Sequence, residues 1–146
     1  YSAASAAVLA STCLACPALS TSVAGSAAQA GCVCNVGYSG VDGGSCVGCV
    51  TGKYKSVNGS SLCVTCPTNS DSAGVASDQL TGCVCKAGFL GSNGGPCITC
   101  VANSYCIAGV ATSCPDFSSS PEGSGLKTAC TCDAGYFGAN GGTCES

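Results

Sequence analysis

The chain of 146 residues has no histidine, no methionine, no tryptophan and no arginine. Without histidine, the usual general base and the usual partner of a serine or cysteine nucleophile are missing. The acids Asp42, Asp71, Asp78, Asp116, Glu122, Asp133 and Glu145 stand singly, and no spacing suggests the paired carboxylates of glycoside-cleaving chemistry. No enzymatic activity and no cofactor are expected. Four lysines against seven acids give a net charge of −3 and leave no basic patch for nucleic acid. No run approaches about 18 uninterrupted apolar residues, so no membrane span is expected. The opening stretch, Tyr1 to Ala10, has neither an initiator methionine nor a basic segment and is not an intact signal peptide. Either a leader has been removed or the chain begins inside a larger protein.

Large apolar side chains are also scarce. There are three Phe and five Tyr, and the 46 % hydrophobic content is mostly Ala, Val and Cys. Burial at roughly 25 cal/mol per Å2 cannot offset the ordering of the chain with so few large side chains. Another source of constraint is required, and the 17 cysteines supply it.

One cysteine pattern is written three times. Cys13, Cys16, Cys32, Cys34, Cys46 and Cys49 form the first copy, and Cys63, Cys66, Cys83, Cys85, Cys97 and Cys100 the second. Cys106, Cys114, Cys130, Cys132 and Cys144 form the third, whose sixth cysteine would fall just after Ser146. A period of about fifty residues marks an array. The repeats are placed at residues 1–49, 50–100 and 101–146, the last truncated before its sixth cysteine. C-x-C and C-x2-C are also metal-ligand spacings, but structural zinc sites reuse one local block of four ligands. Here the cysteines are spread evenly, and no histidine completes a mixed site. Disulfide stapling in an oxidising, extracellular compartment is expected, and no metal site.

Each repeat reads in three parts. The linker, clearest as Cys49-Val-Thr-Gly-Lys-Tyr-Lys-Ser-Val-Asn-Gly-Ser-Ser-Leu-Cys63, predicts a small stapled hairpin turning at Asn58-Gly59. The segments after Cys16-Pro17, Cys66-Pro67 and Cys114-Pro115 are rich in Ser, Thr, Ala and Gly, have little strand alternation, and are expected to be surface loops. The third part runs Cys32-Val-Cys34-Asn-Val-Gly37-Tyr38 to Cys46 and recurs with Gly88-Phe89 and Gly135-Tyr136. Its Asp42-Gly43, Asn93-Gly94 and Asn140-Gly141 pairs predict tight primed turns.

The motif C-x-C-x2-G-[YF], followed by seven residues and Cys, resembles the C-terminal signature of EGF-like modules. With C-x2-C-P upstream and the Gly-Lys-Tyr-Lys-Ser linker, residues 1–146 are similar to the ephrin-receptor-like cysteine-rich repeats found in tandem in extracellular proteins, including algal and protist surface proteins. The resemblance implies a small disulfide-rich fold: tandem modules with short β-hairpins and long loops, an elongated rod and little or no helix. It implies a structural or binding role without catalysis. Calcium-binding EGF modules carry an acidic ligand set near their start; none is present here, so calcium is not carried over.

The third repeat departs from the pattern. Ala111 stands where Cys63 stands in the second, and Cys106 appears a few residues earlier in register. Cys100 lies close upstream of Cys106 and is its natural partner. This favours pairing of sequence neighbours: Cys16 with Cys32, Cys34 with Cys46, Cys49 with Cys63, Cys66 with Cys83, Cys85 with Cys97, Cys100 with Cys106, Cys114 with Cys130 and Cys132 with Cys144. Connectivity does not follow from sequence alone, and the crossed pairing of EGF modules stays open. Cys13 is left unpaired or intermolecular, because by register its partner would precede Tyr1. The chain's end and start thus nearly tile, as expected of one unit of a longer array.

Asn58-Gly59-Ser60 is an N-glycosylation sequon at an expected turn. Ser20, Thr21, Ser22, Ser118, Ser119 and Ser120 lie in hydroxyl-rich loops that resemble O-glycosylation substrates. The leading expectation is a secreted or cell-surface structural protein, a glycosylated repeat unit of a fibre, filament or appendage whose partner is itself. The alternative is a stalk or ligand-binding segment of a receptor or adhesin.

Overall fold

The structure, a computed structural model, describes residues 14–146; Cys13 lies outside the described residues. Among the described residues there are no α-helices, only three single 3-10 turns at Gln29–Gly31, Leu80–Gly82 and Lys127–Ala129. All the sheets among the described residues are two-stranded. The fold is that of a small disulfide-rich protein built from short β-hairpins.

One local unit is repeated at eight sites, a finer period than the three copies of the cysteine pattern. A leading cysteine is followed three residues later by a residue with positive φ, then by a short strand. The positive-φ residues are Leu19, Gly37, Gly52, Asn69, Gly88, Asn103, Phe117 and Gly135, with φ between 60° and 89°. They follow Cys16, Cys34, Cys49, Cys66, Cys85, Cys100, Cys114 and Cys132. A β-turn with positive φ at its third residue reverses the chain there. Its hydrogen bond is seen, for example, from Ser20 N–H to Pro17 O at 3.3 Å, Lys53 N–H to Val50 O at 3.0 Å and Tyr136 N–H to Asp133 O at 3.0 Å.

The strand then meets a return strand of the same unit. Ser20–Thr21 pairs with Val33–Cys34, Tyr38–Ser39 with Val47–Gly48, Lys53–Tyr54 with Val64–Thr65, and Ser70–Ser72 with Cys83–Cys85. Phe89–Leu90 pairs with Ile98–Thr99, Ser104–Ile107 with Val110–Ser113, and Ser118–Ser119 with Thr131–Cys132. The eighth unit closes through an antiparallel bridge between Phe137 and Glu145. Strands this short are marginal in water. Each is held by one disulfide: 16–32, 34–46, 49–63, 66–83, 85–97, 100–106, 114–130 and 132–144, all with Cα–Cα distances of 5.6–5.7 Å. Every leading cysteine therefore bonds the next cysteine along that closes its own hairpin.

Three local readings are corrected. The segments after Cys-Pro are hairpins, not plain loops; their strands of two or three residues are too short to show alternation. The Asn58-Gly59 pair is not a two-residue turn, since the ladder ends at Tyr54 opposite Val64 and leaves a nine-residue loop. In the Asp/Asn-Gly turns only the glycines Gly43, Gly94 and Gly141 have positive φ, at 73–75°. That is a type II pattern, not a primed one.

Sulfur fills the interior. Every buried apolar residue among the described ones is a cysteine, whereas Leu62 is 81 % exposed and Val23 80 %. The chain divides into two compact units, one running up to Thr65 and again over Ser72–Gly82, the other Cys66–Asp71 with Cys83–Ser146.

Candidate functional site

Successive hairpins are joined by backbone hydrogen bonds, and these joints are the most developed feature of the molecule. Where a Cys-Pro hairpin meets the one after it, the turn glycine donates to the carbonyl of the closing cysteine: Gly43 to Cys32, Gly94 to Cys83 and Gly141 to Cys130, each 2.7 Å. Where the third part of a repeat meets the linker, Gly37 N–H donates to Lys55 O at 2.8 Å, and Gly88 N–H donates to Cys106 O at 3.0 Å.

The next Cys-Pro hairpin closes over this joint. Ala76 N–H donates to Cys49 O at 2.7 Å and Gly123 N–H to Cys100 O at 2.9 Å. Lys55 N–H donates to Ser77 O at 3.0 Å and Cys106 N–H to Ser124 O at 2.9 Å. The approach is close: a Cβ at Gly37 would lie 2.3 Å from Ala76 O, and one at Gly88 would lie 2.4 Å from Gly123 O. Glycine at 37 and 88 thus answers two demands, the positive φ and a neighbouring carbonyl that leaves no room for a side chain.

These matched bonds put Cys106 in the place of Lys55. The register explains the displaced cysteine. Lys53 faces Thr65 and Tyr54 faces Val64, so Lys55 comes opposite Cys63; in the later hairpin Cys106 faces Ala111. The cysteine has moved from one strand to the position directly across it. Both positions lie 5.7 Å, Cα to Cα, from the leading cysteine, Cys49 or Cys100. The later hairpin is then closed by a two-residue turn, Ala108-Gly109, with φ of 51° and 82°.

Lys55 is 1 % exposed. Its Nζ donates to Tyr38 O at 2.7 Å and to the Gly59 carbonyl, holding the loop that carries Asn58. Burial pulls the ammonium below its ordinary value of 10.5, with Asp42 opposing that shift. Sequence reasoning missed this residue, because only the cross-strand register shows that it faces the sulfur interior. The Lys86–Asp71 pair, at 3.3 Å, is half exposed on both sides, and such pairs contribute little.

The sequon residues Asn58 and Ser60 are exposed. The Asn58 Oδ1 accepts from Val36 N–H at 2.9 Å, which leaves the amide nitrogen, the atom a glycan would occupy, pointing away from that bond. Among the hydroxyl candidates, Ser20 and Ser118 donate to Pro17 O and Pro115 O at 2.6 and 2.7 Å. Ser120 is buried and donates to Ser104 O at 2.8 Å. Thr21 is exposed, and Ser22 and Ser119 are half-buried.

Phe117 is 52 % exposed and stacks on Tyr136, with ring centroids 4.3 Å apart and planes 6° from parallel. It borders a cavity of about 490 Å3 with Pro115, Asp116 and Thr143. Stacking, about 0.5–1.5 kcal/mol, is of the same order as the cost of holding a bulky residue at positive φ. No group of three or more metal-binding side chains gathers among the described residues, and no helix there is long and apolar enough to cross a membrane. The many disulfides fit a secreted protein. The chain matches no protein-family model and no curated protein sequence.

Proposed function

We propose that this chain is an extracellular structural protein, a repeat unit of a glycosylated fibre, filament or cell-surface appendage. The observation that carries the reading is the joint: each hairpin is stapled by its own disulfide and tied to its neighbour by the same few backbone bonds. Such an array adds length without needing a larger core. Its resemblance to ephrin-receptor-like and EGF-like tandem repeats supports the same reading. Glycan at Asn58 would add polar surface to a chain of which only 8 % of the residues are charged.

The second reading, a receptor or adhesin stalk that contacts a ligand, is favoured by the exposed Phe117 ring, stacked on the half-buried Tyr136 beside a cavity. Exposed aromatic patches are typical of contact sites. Electron microscopy of the native material separates the two. We expect filaments, and enzymatic removal of N-linked sugar should lower the mass of the peptide carrying Asn58. Isolated particles would overturn the fibre reading, and an unchanged mass would overturn the glycan.

A further inference from the structure

Asparagine followed by glycine is the side-chain amide most open to attack by its own backbone, because glycine puts no side chain in the way. The chain carries three such pairs, Asn58-Gly59, Asn93-Gly94 and Asn140-Gly141. In the reaction the glycine nitrogen loses its proton to water and bonds to the asparagine Cγ. The Cγ–Nδ2 bond breaks, and the nitrogen leaves as ammonia after taking a proton from water. A water molecule then opens the cyclic imide at either carbonyl, giving aspartate or isoaspartate. No oxidant or reductant takes part.

Exposure does not protect these residues, since Asn93 and Asn140 lie open to solvent. What is held is the attacking nitrogen. Gly94 N–H donates to Cys83 O and Gly141 N–H to Cys130 O, each at 2.7 Å. A carbonyl oxygen accepts a hydrogen bond but is too weak a base to remove the proton. While the bond stands, the nitrogen is neither deprotonated nor free to swing toward Cγ. Both acceptors belong to stapled cysteines, in the bonds 66–83 and 114–130. The protection is therefore part of the architecture that sulfur holds.

The turn requires its glycine but not its asparagine. Gly94 and Gly141 have φ of 75° and 73°, and a Cβ at Gly141 would lie 2.7 Å from Lys127 O. In the first repeat the place of the asparagine is taken by Asp42, followed by Gly43 at φ 74° with its N–H 2.7 Å from Cys32 O. Aspartate thus fits this turn. Isoaspartate does not, because it routes the main chain through Cβ and Cγ. That adds one carbon ahead of the glycine and displaces its N–H from the carbonyl it must reach.

We infer that Asn93 and Asn140 are modification sites gated by sulfur, closed while the hairpins are stapled and converted irreversibly to aspartate and isoaspartate once a thiol reductant opens them. Two thiols supply the two electrons and two protons that split each disulfide, and are themselves joined as a disulfide. Chemical change of the opened chain then competes with refolding. Brief reduction is reversible and long reduction is not. Asn58 obeys the same rule, with Gly59 N–H on Cys34 O at 2.9 Å, and conversion there would also erase the sequon. The inference is independent of the fibre reading.

The test compares the full-length oxidised protein with the same chain reduced and alkylated, both kept at neutral pH and sampled over time by peptide mass mapping. Conversion at Asn93 and Asn140 should be at least about tenfold faster in the reduced chain, because in the folded chain its rate is scaled down by the fraction locally open. In the oxidised chain the Gly94 and Gly141 amides should exchange slowly with solvent. Equal rates of conversion in the two forms, or free exchange of those amides, would overturn the gate. A second arm holds unalkylated chains reduced for increasing times before reoxidation. Recovery of the native disulfides should decline for the parent as isoaspartate accumulates. The triple variant Asn58→Asp, Asn93→Asp, Asn140→Asp, which copies the Asp42 arrangement, should recover after longer reduction. Equal recovery of parent and variant would refute the irreversible step.

Discussion

Complete reduction and alkylation should abolish the fold. The expected result is loss of any cooperative unfolding transition, amide exchange at the rate of an open chain, and rapid cleavage by a broad-specificity protease that leaves the oxidised protein largely intact. The physical reason is the composition of the interior. Cys32, Cys34, Cys83, Cys100, Cys106 and Cys130 are at most 1 % exposed, while no Val, Leu, Ile or Phe among the described residues is buried. With no buried aliphatic or aromatic cluster among the described residues, the hydrophobic term that stabilises ordinary domains is small there. Each staple contributes about 3 kcal/mol for a loop of about 15 residues in the chain-entropy account. Among the described residues seven disulfides close loops with sequence separations of 12–17, and the eighth, Cys100–Cys106, closes one of 6. Two-stranded sheets of this length do not persist without them. A reduced chain that kept protected amides would show that something other than sulfur holds it.

The second large effect concerns the linker hairpins. Cys63→Ala should free the Cys49 thiol and cost about 2–5 kcal/mol, the usual range for loss of a native staple in a small secreted domain. Adding Lys55→Cys should restore a disulfide, now between positions 49 and 55, and recover most of that loss. Position 55 comes opposite 63 in register, and Cys106 shows that a cysteine at the matching place bonds its leading cysteine at the same 5.7 Å Cα separation. Recovery should be incomplete. The Nζ bonds from Lys55 to Tyr38 O and the Gly59 carbonyl are lost, so residues 56–62 should become the preferred site of limited proteolysis. Peptide mapping of the double variant reads the outcome; a free thiol on Cys49 would refute the strand-swap account.

Part of this structure was legible in the sequence. The even spread of cysteines pointed to stapling, and the short interval from Cys100 to Cys106 pointed to neighbour pairing. The opposition of Ala111 to Cys106 follows the same register. The finer unit was hidden because its marker is a backbone conformation. Leu19, Asn69, Phe117 and Gly88 share a positive φ without sharing a side chain. Lys55 was hidden for a related reason. A lysine in a polar stretch reads as solvated, and only its place across from Cys63 makes it an interior residue. The joint could be seen only in part: Gly37, Gly88 and Gly135 recur visibly, but their partners at 76 and 123 lie about 35–40 residues away in segments with no strong pattern.

A disulfide map of non-reduced native material tests the account most directly. Proteolytic peptides analysed with and without reduction should show each leading cysteine joined to the cysteine that closes its own hairpin, Cys100 with Cys106 included, and no metal released on denaturation. Crossed links between alternate cysteines, or free thiols across residues 14–146, would contradict it.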